Sequence, residues 1–405
     1  MAGVKWYGEG VFHRETVRGD AMSASYVTPL IPGALIYNRL FAWKASFAVV
    51  PSDFKDCYVS SEFPQFVADT TRILPEYLYL FCTREATIRA VNAASTGSAA
   101  VSRNRFKEDQ FLGFEIPLPP IAEQEAIVAG WRKAQDEIVA AGERVYKLKD
   151  RVEKRFLEDL GVAPAVLMTR PKCFAVLWQE LVRFSMTSTA HAGLGMDSLK
   201  SSRYSQVTLG SISLVAYGIQ KCPANRPGLH ARPYLRVANV RKGYLDLTEV
   251  KKINVPDSEL EIYRLQPGDI LFVEGNGSRS ELGRVAEWNG EIENCVHQNH
   301  LIKVRVDQTR LLSRFAMTWF NTDVGRGHFF RAAKSSSGLG TINSSEVRSA
   351  PIPLPPIDIQ KQIMERVAAG RAEIAREREA AERLAKEINA EIEALVLGTK
   401  TLNEK

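Results

Sequence analysis

Cysteine is scarce in this chain of 405 residues, which has only five. They are Cys57, Cys82, Cys173, Cys222 and Cys295, and no two of them form a Cys-x-x-Cys pair. An odd number without paired spacing argues against a disulfide framework and against a structural zinc site. We therefore expect reduced thiols.

Long apolar runs are also missing. No segment approaches the roughly 20 consecutive apolar residues that a membrane-spanning helix needs. The N-terminus lacks the charged and apolar regions of a secretory signal peptide. These absences predict a cytoplasmic protein without a membrane partner.

Catalytic motifs are absent as well. The chain has no Gly-x-x-x-x-Gly-Lys phosphate loop and no Asn-Pro-Pro-Tyr motif of the kind that amino-methyltransferases use to hold a flipped base. Gly275-Asn-Gly-Ser278 resembles a nucleotide loop, but a tight β-turn explains it better. Cys295, His297 and His300 are close in sequence, yet strand alternation would separate the first two from the third, so we predict no metal site. The sequence therefore predicts a protein that catalyses nothing itself.

The charge balance favours a polyanionic partner. Lys and Arg number 53 against 47 Asp and Glu, which gives a net charge of +6 and a pI near 9.0. The 45% hydrophobic and 25% charged content is ordinary for a globular protein, and the length suggests two to three domains.

One motif occurs twice. Ile116-Pro-Leu-Pro-Pro-Ile121, with Gln124, returns as Ile352-Pro-Leu-Pro-Pro-Ile357, with Gln360. The second copy begins 236 positions after the first (352 against 116), which is too long for a solenoid repeat. We interpret the chain as two copies of a globular domain, each followed by a long helix.

Both copies are followed by apolar residues at alternating spacings of four and three, the pattern of a coiled-coil seam. Because each helix alone would expose an apolar stripe, we expect the two to pack against each other, antiparallel. The predicted seam residues are Ile127, Trp131, Ala134, Ile138, Ala141, Val145, Leu148 and Val152 in the first helix, and Ile363, Val367, Gly370, Ile374, Ala381, Leu384, Ile388 and Leu395 in the second, with Ile392 shifting the seam.

The two globular domains share a plan in which α and β elements are mixed. Strand-like runs include Leu35-Ile-Tyr and Phe47-Ala-Val-Val50, and Pro75–Ala90 has helical spacing. The second domain has Leu265–Leu271 where the first has Leu30–Ile36, and a strand at Cys295 where the first has one at Cys57. The predicted boundaries are 1–113 for the first domain, 114–160 for the first long helix, 161–198 for a linker with a docking helix at 173–184, 199–350 for the second domain and 351–405 for the second long helix.

These features resemble the specificity (S) subunits of type I restriction-modification systems. The resemblance is carried by the doubled Ile-Pro-Leu-Pro-Pro-Ile-x-x-Gln motif with its long helix, and it covers nearly the whole chain. It implies an α+β fold with two target-recognition domains in a pseudo-two-fold arrangement, joined by two long antiparallel coiled-coil helices. Each domain would recognise one half of a bipartite double-stranded DNA target in a system of phage defence.

The resemblance also implies partners. The helices would dock two methyltransferase (M) subunits, and restriction (R) subunits would join that core. No cofactor is expected on this chain, while S-adenosylmethionine, ATP and Mg are expected on the partner subunits.

One departure from the family pattern concerns the first domain. The second domain has a leading segment, about Ser201 to Leu235, for which the first has no counterpart because Met1 aligns near Arg236. We expect that the reading frame begins upstream or the chain is truncated, or else that a strand is supplied from elsewhere. Such a first domain would recognise DNA poorly.

Recognition of DNA needs cations for phosphates and polar side chains for base edges, and loops on a rigid scaffold present both well. The ordinary alternatives are a solvated face or an ion pair for Arg and Lys, and a turn for Asn and Ser. The candidates in the first domain are Asn38, Arg39, Lys44, Arg103, Asn104, Arg105 and Lys107. Those in the second are Lys221, Asn225, Arg226, Arg232, Asn276, Ser278, Arg279, Lys334, Ser335 and Ser336.

Two other classes of protein fit some of these features. A protein-interaction scaffold would use the coiled coil alone, and its affinity for DNA would be weak and independent of sequence. A DNA-processing enzyme with an unrecognised active site would cut or methylate DNA by itself.

Overall fold

The computed structural model describes residues 1–21, 26–95, 105–162, 198–276, 281–332, 334–336 and 339–400. The chain divides into two compact units. Unit 1 is Met1–Val145 with Arg376–Lys405, and unit 2 is Tyr146–Ala375. The docking helix predicted at 173–184 lies outside the described residues. Among the helices in the described ranges, none is long and apolar enough to cross a lipid bilayer.

Unit 1 is built from short antiparallel strands covered by helices. The strands are β1 (Ala2–Val4), β2 (Val11–His13), β3 (Val27–Pro29), β4 (Leu35–Tyr37), β5 (Phe47–Val49), β6 (Tyr58–Ser60) and β7 (Gln65–Phe66). The helices are α1 (Pro75–Thr83), α2 (Glu85–Ala94), α3 (Glu108–Leu112) and the first part of α4 (Ile121–Asp159). β4 is the centre of a sheet of order β5-β4-β7, and β1–β2 and β3–β6 form separate pairs. Leu35, Tyr37, Phe47 and Tyr77 fill the core between this sheet and α1.

Unit 2 repeats this plan with more strands. They are β8 (Gln206–Thr208), β9 (Ser213–Tyr217), β10 (Ala231–Leu235), β11 (Val240–Arg241), β12 (Tyr244–Leu245), β13 (Lys251–Asn254), β14 (Asp269–Val273), β15 (Gly275–Asn276), β16 (Val285–Glu287), β17 (Val296–His297), β18 (Leu301–Val306), β19 (Lys334–Ser336), β20 (Leu339–Thr341) and β21 (Pro351–Pro353). Its helices are α5 (Asp257–Tyr263), α6 (Ser313–Phe320), α7 (Asp323–Ala332), α8 (Ser344–Arg348) and the first part of α9 (Ile357–Val396).

The main sheet of unit 2 is antiparallel, with the order β16-β14-β18-β9. Smaller sheets have the orders β13-β10-β17 and β15-β20-β19, and β21 pairs with β8. The segment that precedes Arg236 supplies β8, β9 and β10. β14 is fully buried and lies at the centre of the main sheet, as a strand of continuous apolar residues would.

The two units share local geometry as well as order. A Pro-Gly turn precedes the central strand in each, and Gly33 (φ +79°) and Gly268 (φ +91°) adopt the left-handed conformation that favours glycine. In each unit the leucine before this turn makes a main-chain hydrogen bond to a cysteine. Leu30 N–H donates to the Cys57 carbonyl and Leu265 N–H to the Cys295 carbonyl, both at 2.9 Å.

The helix predicted over Pro75–Ala90 is in fact two helices. Arg84 is extended (φ −62°, ψ 146°) between α1 and α2, so the chain turns there without a glycine or proline to mark the break. In unit 2 the corresponding helical segment is likewise divided into α6 and α7. There Thr322 Oγ1 accepts a hydrogen bond from Gly325 N–H at 3.0 Å, and a Cβ on Gly325 would meet the Trp319 carbonyl oxygen at 2.1 Å.

The glutamine of each repeated motif is fully buried, and its amide makes three hydrogen bonds. Gln124 accepts from Leu74 N–H at 2.9 Å and donates to the carbonyls of Arg72 and Pro119, both at 2.9 Å. Gln360 accepts from Leu312 N–H at 2.9 Å and donates to the carbonyls of Arg310 and Pro355, both at 2.8 Å. Each glutamine thus ties the start of a long helix to the segment that begins α1 or α6.

The long helices pack against each other within each unit. In unit 1 Ile127 and Trp131 join one hydrophobic cluster with Ile388, Ile392 and Leu395. Arg144 also pairs with Glu377 at 3.0 Å. Higher numbers in α4 meet lower numbers in α9, so the packing is antiparallel.

Unit 2 contains the same kind of contact. Val152 lies against Gly370, and Asp159 pairs with Arg366 at 2.9 Å. The predicted seam positions are buried or half-buried throughout. They are Ile127, Trp131, Ala134, Ile138, Ala141, Val145, Leu148 and Val152 in α4, and Ile363, Val367, Gly370, Ile374, Ala381, Leu384, Ile388, Ile392 and Leu395 in α9.

Replacing the buried glutamine is expected to destabilise unit 2. Gln360→Ala leaves the Leu312 N–H and two carbonyls without their partner, and we expect a loss of about 3 kcal/mol or more in the free energy of unfolding. Gln362, two residues along the same helix, is exposed. Gln362→Ala should therefore change stability by less than about 0.5 kcal/mol. Urea unfolding of the two variants compares them, and equal midpoints would contradict this role for Gln360.

The close helix contact in unit 2 depends on a glycine. A Cβ on Gly370 would lie 2.4 Å from Val152 Cγ2. Valine is stiff at χ1, so Gly370→Ala should cost about 1–3 kcal/mol despite the better helix propensity of alanine. Gly142 in α4 has open space around its Cβ position, and Gly142→Ala should stabilise by about 0.5–1 kcal/mol. The midpoint temperature of thermal unfolding should fall in Gly370→Ala and rise in Gly142→Ala. Shifts of the same sign in the two variants would argue against close packing at Gly370.

Candidate nucleic-acid interface

The loop between β9 and β10 in unit 2 presents cations. Lys221 and Arg226 are exposed and have no ion-pair partner within the described part of the chain. Asn225 shapes this loop instead, because its Oδ1 accepts from Cys222 N–H at 2.8 Å and its Nδ2 donates to the Gln220 carbonyl at 2.6 Å. Lys221 and Arg226 are therefore available for phosphates, and Asn225 is a turn residue.

Arg232, at the end of that loop, forms an ion pair within the protein. It lies on β10 and donates a hydrogen bond to Asp257 at the start of α5. Its side chain is only 22% exposed, and its Nε atom is buried without a partner.

In unit 1, most of the described candidate DNA-binding side chains form bonds to other groups of the protein. Arg39 donates to both carboxylate oxygens of Glu108, and its Nη1 donates to the Ser61 carbonyl at 2.7 Å. The hydrogen bond from Arg39 lowers the pKa of the Glu108 carboxyl, and the same bond raises the pKa of Arg39. Arg105 pairs with Glu62 at 2.5 Å.

The other described candidates of unit 1 serve local structure or stay near the surface. Asn38 Oδ1 accepts from Leu40 N–H at 3.0 Å. The Lys44 ammonium lies 3.7 Å from the centre of the Trp6 ring and 5.0 Å from that of Trp43, a cation–π arrangement. Lys107 is exposed before α3.

The remaining candidate DNA-binding residues either lie on strands or fall outside the described residues. Arg103, Asn104, Ser278 and Arg279 lie outside the described residues. Asn276 lies on β15, and Lys334, Ser335 and Ser336 form β19. The tight turn predicted for Gly275–Ser278 is therefore wrong at its first two residues, because Gly275 and Asn276 pair with Thr341 and Gly340 as a strand.

The structure brings the predicted loops of unit 2 together around a turn that sequence reasoning did not select. β17 and β18 are joined by Gln298, Asn299 and His300, and Leu301 N–H closes the turn on the Gln298 carbonyl at 2.9 Å. Ile219, which leads into the Lys221 loop, bridges to Gln298, and Glu274, which leads into β15, donates from its N–H to the His300 carbonyl at 3.1 Å. The available signal was three consecutive polar residues between two apolar strands.

Histidines and cysteines of unit 2 have separate roles. His297 is buried and lies 3.2 Å from the Tyr263 carbonyl through Nδ1, and burial, with the nearby Lys303, lowers its pKa to about 3. Burial raises the pKa of the Cys295 thiol to about 12. His300 is exposed and bonded to Glu274 at 2.6 Å. Across the described ranges no three Cys, His, Asp or Glu side chains are grouped as a metal site requires, and Cys57, Cys82, Cys222 and Cys295 are free thiols.

Residues 233–384 match the family model described as a type I restriction modification DNA specificity domain. Over this segment the chain is similar to type I restriction specificity subunits. It is 28% identical over 301 residues to the StySPI specificity subunit of Salmonella potsdam, a match over 73% of this chain and 58% of that protein. It is 26% identical over 281 residues to the EcoKI specificity subunit of Escherichia coli K12, covering 68% and 54%. The chain thus spans little more than half the length of these curated relatives.

A solved structure has a fold similar to that of this chain. It comes from work on complex assembly and conformational transition of the type I R-M system. It superposes with a TM-score of 0.58 at 16% identity and covers 92% of this chain and 84% of its own. At that identity the likeness concerns the fold, which is the α+β arrangement with coiled-coil helices expected from the sequence.

The ion pair of Arg39 with Glu108 should contribute to stability rather than to binding. Arg39→Ala should lower the free energy of unfolding by about 1–3 kcal/mol, since it removes a two-pronged pair and a bond to a carbonyl. Arg105→Ala, which breaks a more exposed pair, should cost under about 1 kcal/mol.

The Arg39 effect should also depend on pH. Because the folded pKa of Glu108 is lowered, its contribution is present above the unfolded value, near 4.3, and is lost as the pH falls through the folded value. Denaturation of wild type and Arg39→Ala at pH 7 and pH 3 measures this. A stability difference that does not shrink at pH 3 would contradict the assignment.

Proposed function

We propose that this chain determines the DNA sequence specificity of a type I restriction-modification complex. Unit 1 and unit 2 each recognise one half of a bipartite duplex target, and the chain itself catalyses no reaction. It acts in the cytoplasm, where it binds double-stranded DNA.

One observation carries this proposal: the two units have the same buried framework and different exposed side chains. The bonds of Gln124 and Gln360 and the Pro-Gly turns are equivalent. The side chains on that framework differ, however, because the turn that follows Cys57 in unit 1 has Ser61 and Glu62 where the turn that follows Cys295 in unit 2 has Asn299 and His300. A protein that must recognise two different short sequences needs this combination, because a rigid scaffold fixes the position while variable side chains determine the bases.

Electrostatics supports a DNA partner. The net charge is +6, and the loop between β9 and β10 carries exposed cations that form no ion pair with any described residue. Lys and Arg in such positions neutralise phosphates and set the orientation of a protein on the duplex. Sequence discrimination then requires neutral polar side chains beside them.

The long helices have a second role in this proposal. We infer that α4 and α9 fix the distance between the two half-sites, and that their outer faces dock two methyltransferase subunits, with restriction subunits joining that core. Val139 in unit 1 and Tyr146 in unit 2 are 63% and 76% exposed, and in this proposal a partner subunit covers each of these side chains. S-adenosylmethionine, ATP and Mg then bind to the partner subunits, which carry out the chemistry.

A coiled-coil scaffold without sequence recognition is the second candidate. The packed helices alone would serve it, but it gives no reason for two elaborate domains on a shared framework. A DNA-processing enzyme is disfavoured, because the chain has no phosphate loop and no grouped metal ligands among its described residues.

The test is co-expression of this chain with a cognate methyltransferase subunit, followed by single-molecule mapping of methylated adenines in the host DNA. We expect one split motif with two defined halves, which disappears when this chain is omitted. Methylation without this chain, or with no defined motif, would support the scaffold instead. A motif with a single defined half would assign recognition to one unit only.

A further inference from the structure

The turn Gln298–Leu301 of unit 2 lies where the stems of three predicted DNA-contacting segments meet. On one side, Asn299 N–H donates to the Ile219 carbonyl at 3.1 Å and Ile219 N–H to the His297 carbonyl at 2.8 Å. This contact is close enough that a Cβ on Gly218 would meet the His297 carbonyl oxygen at 2.0 Å. The stem of the Lys221 loop is thus fixed against the turn.

On the other side, the turn is fixed to β15 and the β19–β20 hairpin. Glu274 N–H donates to the His300 carbonyl at 3.1 Å, and Ile342 N–H donates to the Glu274 carbonyl at 2.8 Å. Glu274 immediately precedes β15, which pairs with β20, and β20 pairs with β19. The turn is therefore held from both sides by main-chain hydrogen bonds.

Two side chains of this turn, those of Gln298 and Asn299, are not used in hydrogen bonds within the described residues. The amides of Gln298 and Asn299 make no hydrogen bond within the described part of the chain, and neither residue has a buried polar atom left without a partner. Their amide groups therefore reach the surface. Fixed backbone with free polar side chains is the arrangement that base recognition needs.

His300 is positioned by a carboxylate. Its side chain is 56% exposed, and Nδ1 lies 2.6 Å from Glu274 Oε2, which is 25% exposed. A carboxylate only accepts hydrogen bonds, so Nδ1 carries the proton and donates, and Nε2 is left for another partner. In the neutral ring, Nε2 is an acceptor.

Unit 1 has the same turn with different side chains. Phe63 N–H donates to the Ser60 carbonyl at 3.1 Å, just as Leu301 N–H donates to the Gln298 carbonyl. The turn of unit 1 follows β6, which begins directly after Cys57, and the turn of unit 2 follows β17, which begins directly after Cys295. The intervening residues are Ser61 and Glu62 rather than Asn299 and His300, and Glu62 is paired with Arg105. Equal backbone with unequal side chains is expected of positions that contact different bases.

From this geometry we infer that the turn of unit 2 contacts base edges in the major groove. Asn299 donates to and accepts from an adenine through its amide, the pairing that its donor and acceptor geometry matches. His300, positioned by Glu274, accepts at Nε2 from the exocyclic amino group of an adjacent adenine or cytosine. This inference rests on the proposed function and names residues responsible for one half of the target.

The test uses the complete complex with its methyltransferase subunit and measures methylation rates on duplexes that carry each single base change in the target. Asn299→Ala and His300→Ala should each reduce discrimination at one base pair, roughly tenfold to a hundredfold, within the half assigned to unit 2. The other half should be unchanged. Asn289→Ala is the matched control, because Asn289 is an exposed asparagine of the same unit bonded only to Glu291.

Two further variants distinguish the positioning of His300 by Glu274 from a general loss of stability. Glu274→Gln keeps an acceptor for Nδ1 and should retain the wild-type base preference, while Glu274→Ala should reproduce the relaxed preference of His300→Ala. All variants should unfold at the wild-type temperature.

Wild-type discrimination at every position in both Asn299→Ala and His300→Ala would overturn the inference while leaving the proposed function intact. A wild-type complex that prefers no sequence would instead overturn the proposed function.

Discussion

A buried glutamine amide is the constraint on which the rest of this structure depends. Gln124 and Gln360 are fully buried, and the amide of each makes three hydrogen bonds to main-chain groups. Because an unpaired buried polar group costs about 1–3 kcal/mol, no other side chain substitutes easily. The amide fixes where a long helix leaves the globular part of its unit, so the direction of each helix is determined at its first turn.

This constraint separates the parts of the chain that must stay the same from those that can differ. The framework around each glutamine, the Pro-Gly turn and the cysteine-linked strand is equivalent in the two units. Surface turns on that framework can then exchange side chains without loss of packing. Ser61 and Glu62 in one unit and Asn299 and His300 in the other illustrate this freedom, which suits two units that recognise different sequences.

Sequence reasoning predicted the repeated plan and the antiparallel helices, because both depend on periodicity and on a motif that occurs twice. It placed a strand at Leu35–Tyr37 and matched Leu265–Leu271 of the second domain to Leu30–Ile36 of the first. It missed the break at Arg84, where no glycine or proline marks the turn. Site residues were harder. Arg39, Arg105 and Arg232 are paired with acids that are distant in sequence, and such pairs have no local signature. The turn at Asn299 was missed because its importance depends on which loops the fold brings beside it.

In the proposed function, two units with different surface side chains recognise two different short sequences. Selection of duplexes from a random pool by the complete complex is the most direct test. We expect two blocks of defined bases that differ in sequence and are separated by a gap of constant length. A single defined block, or two identical blocks in inverted orientation, would contradict it.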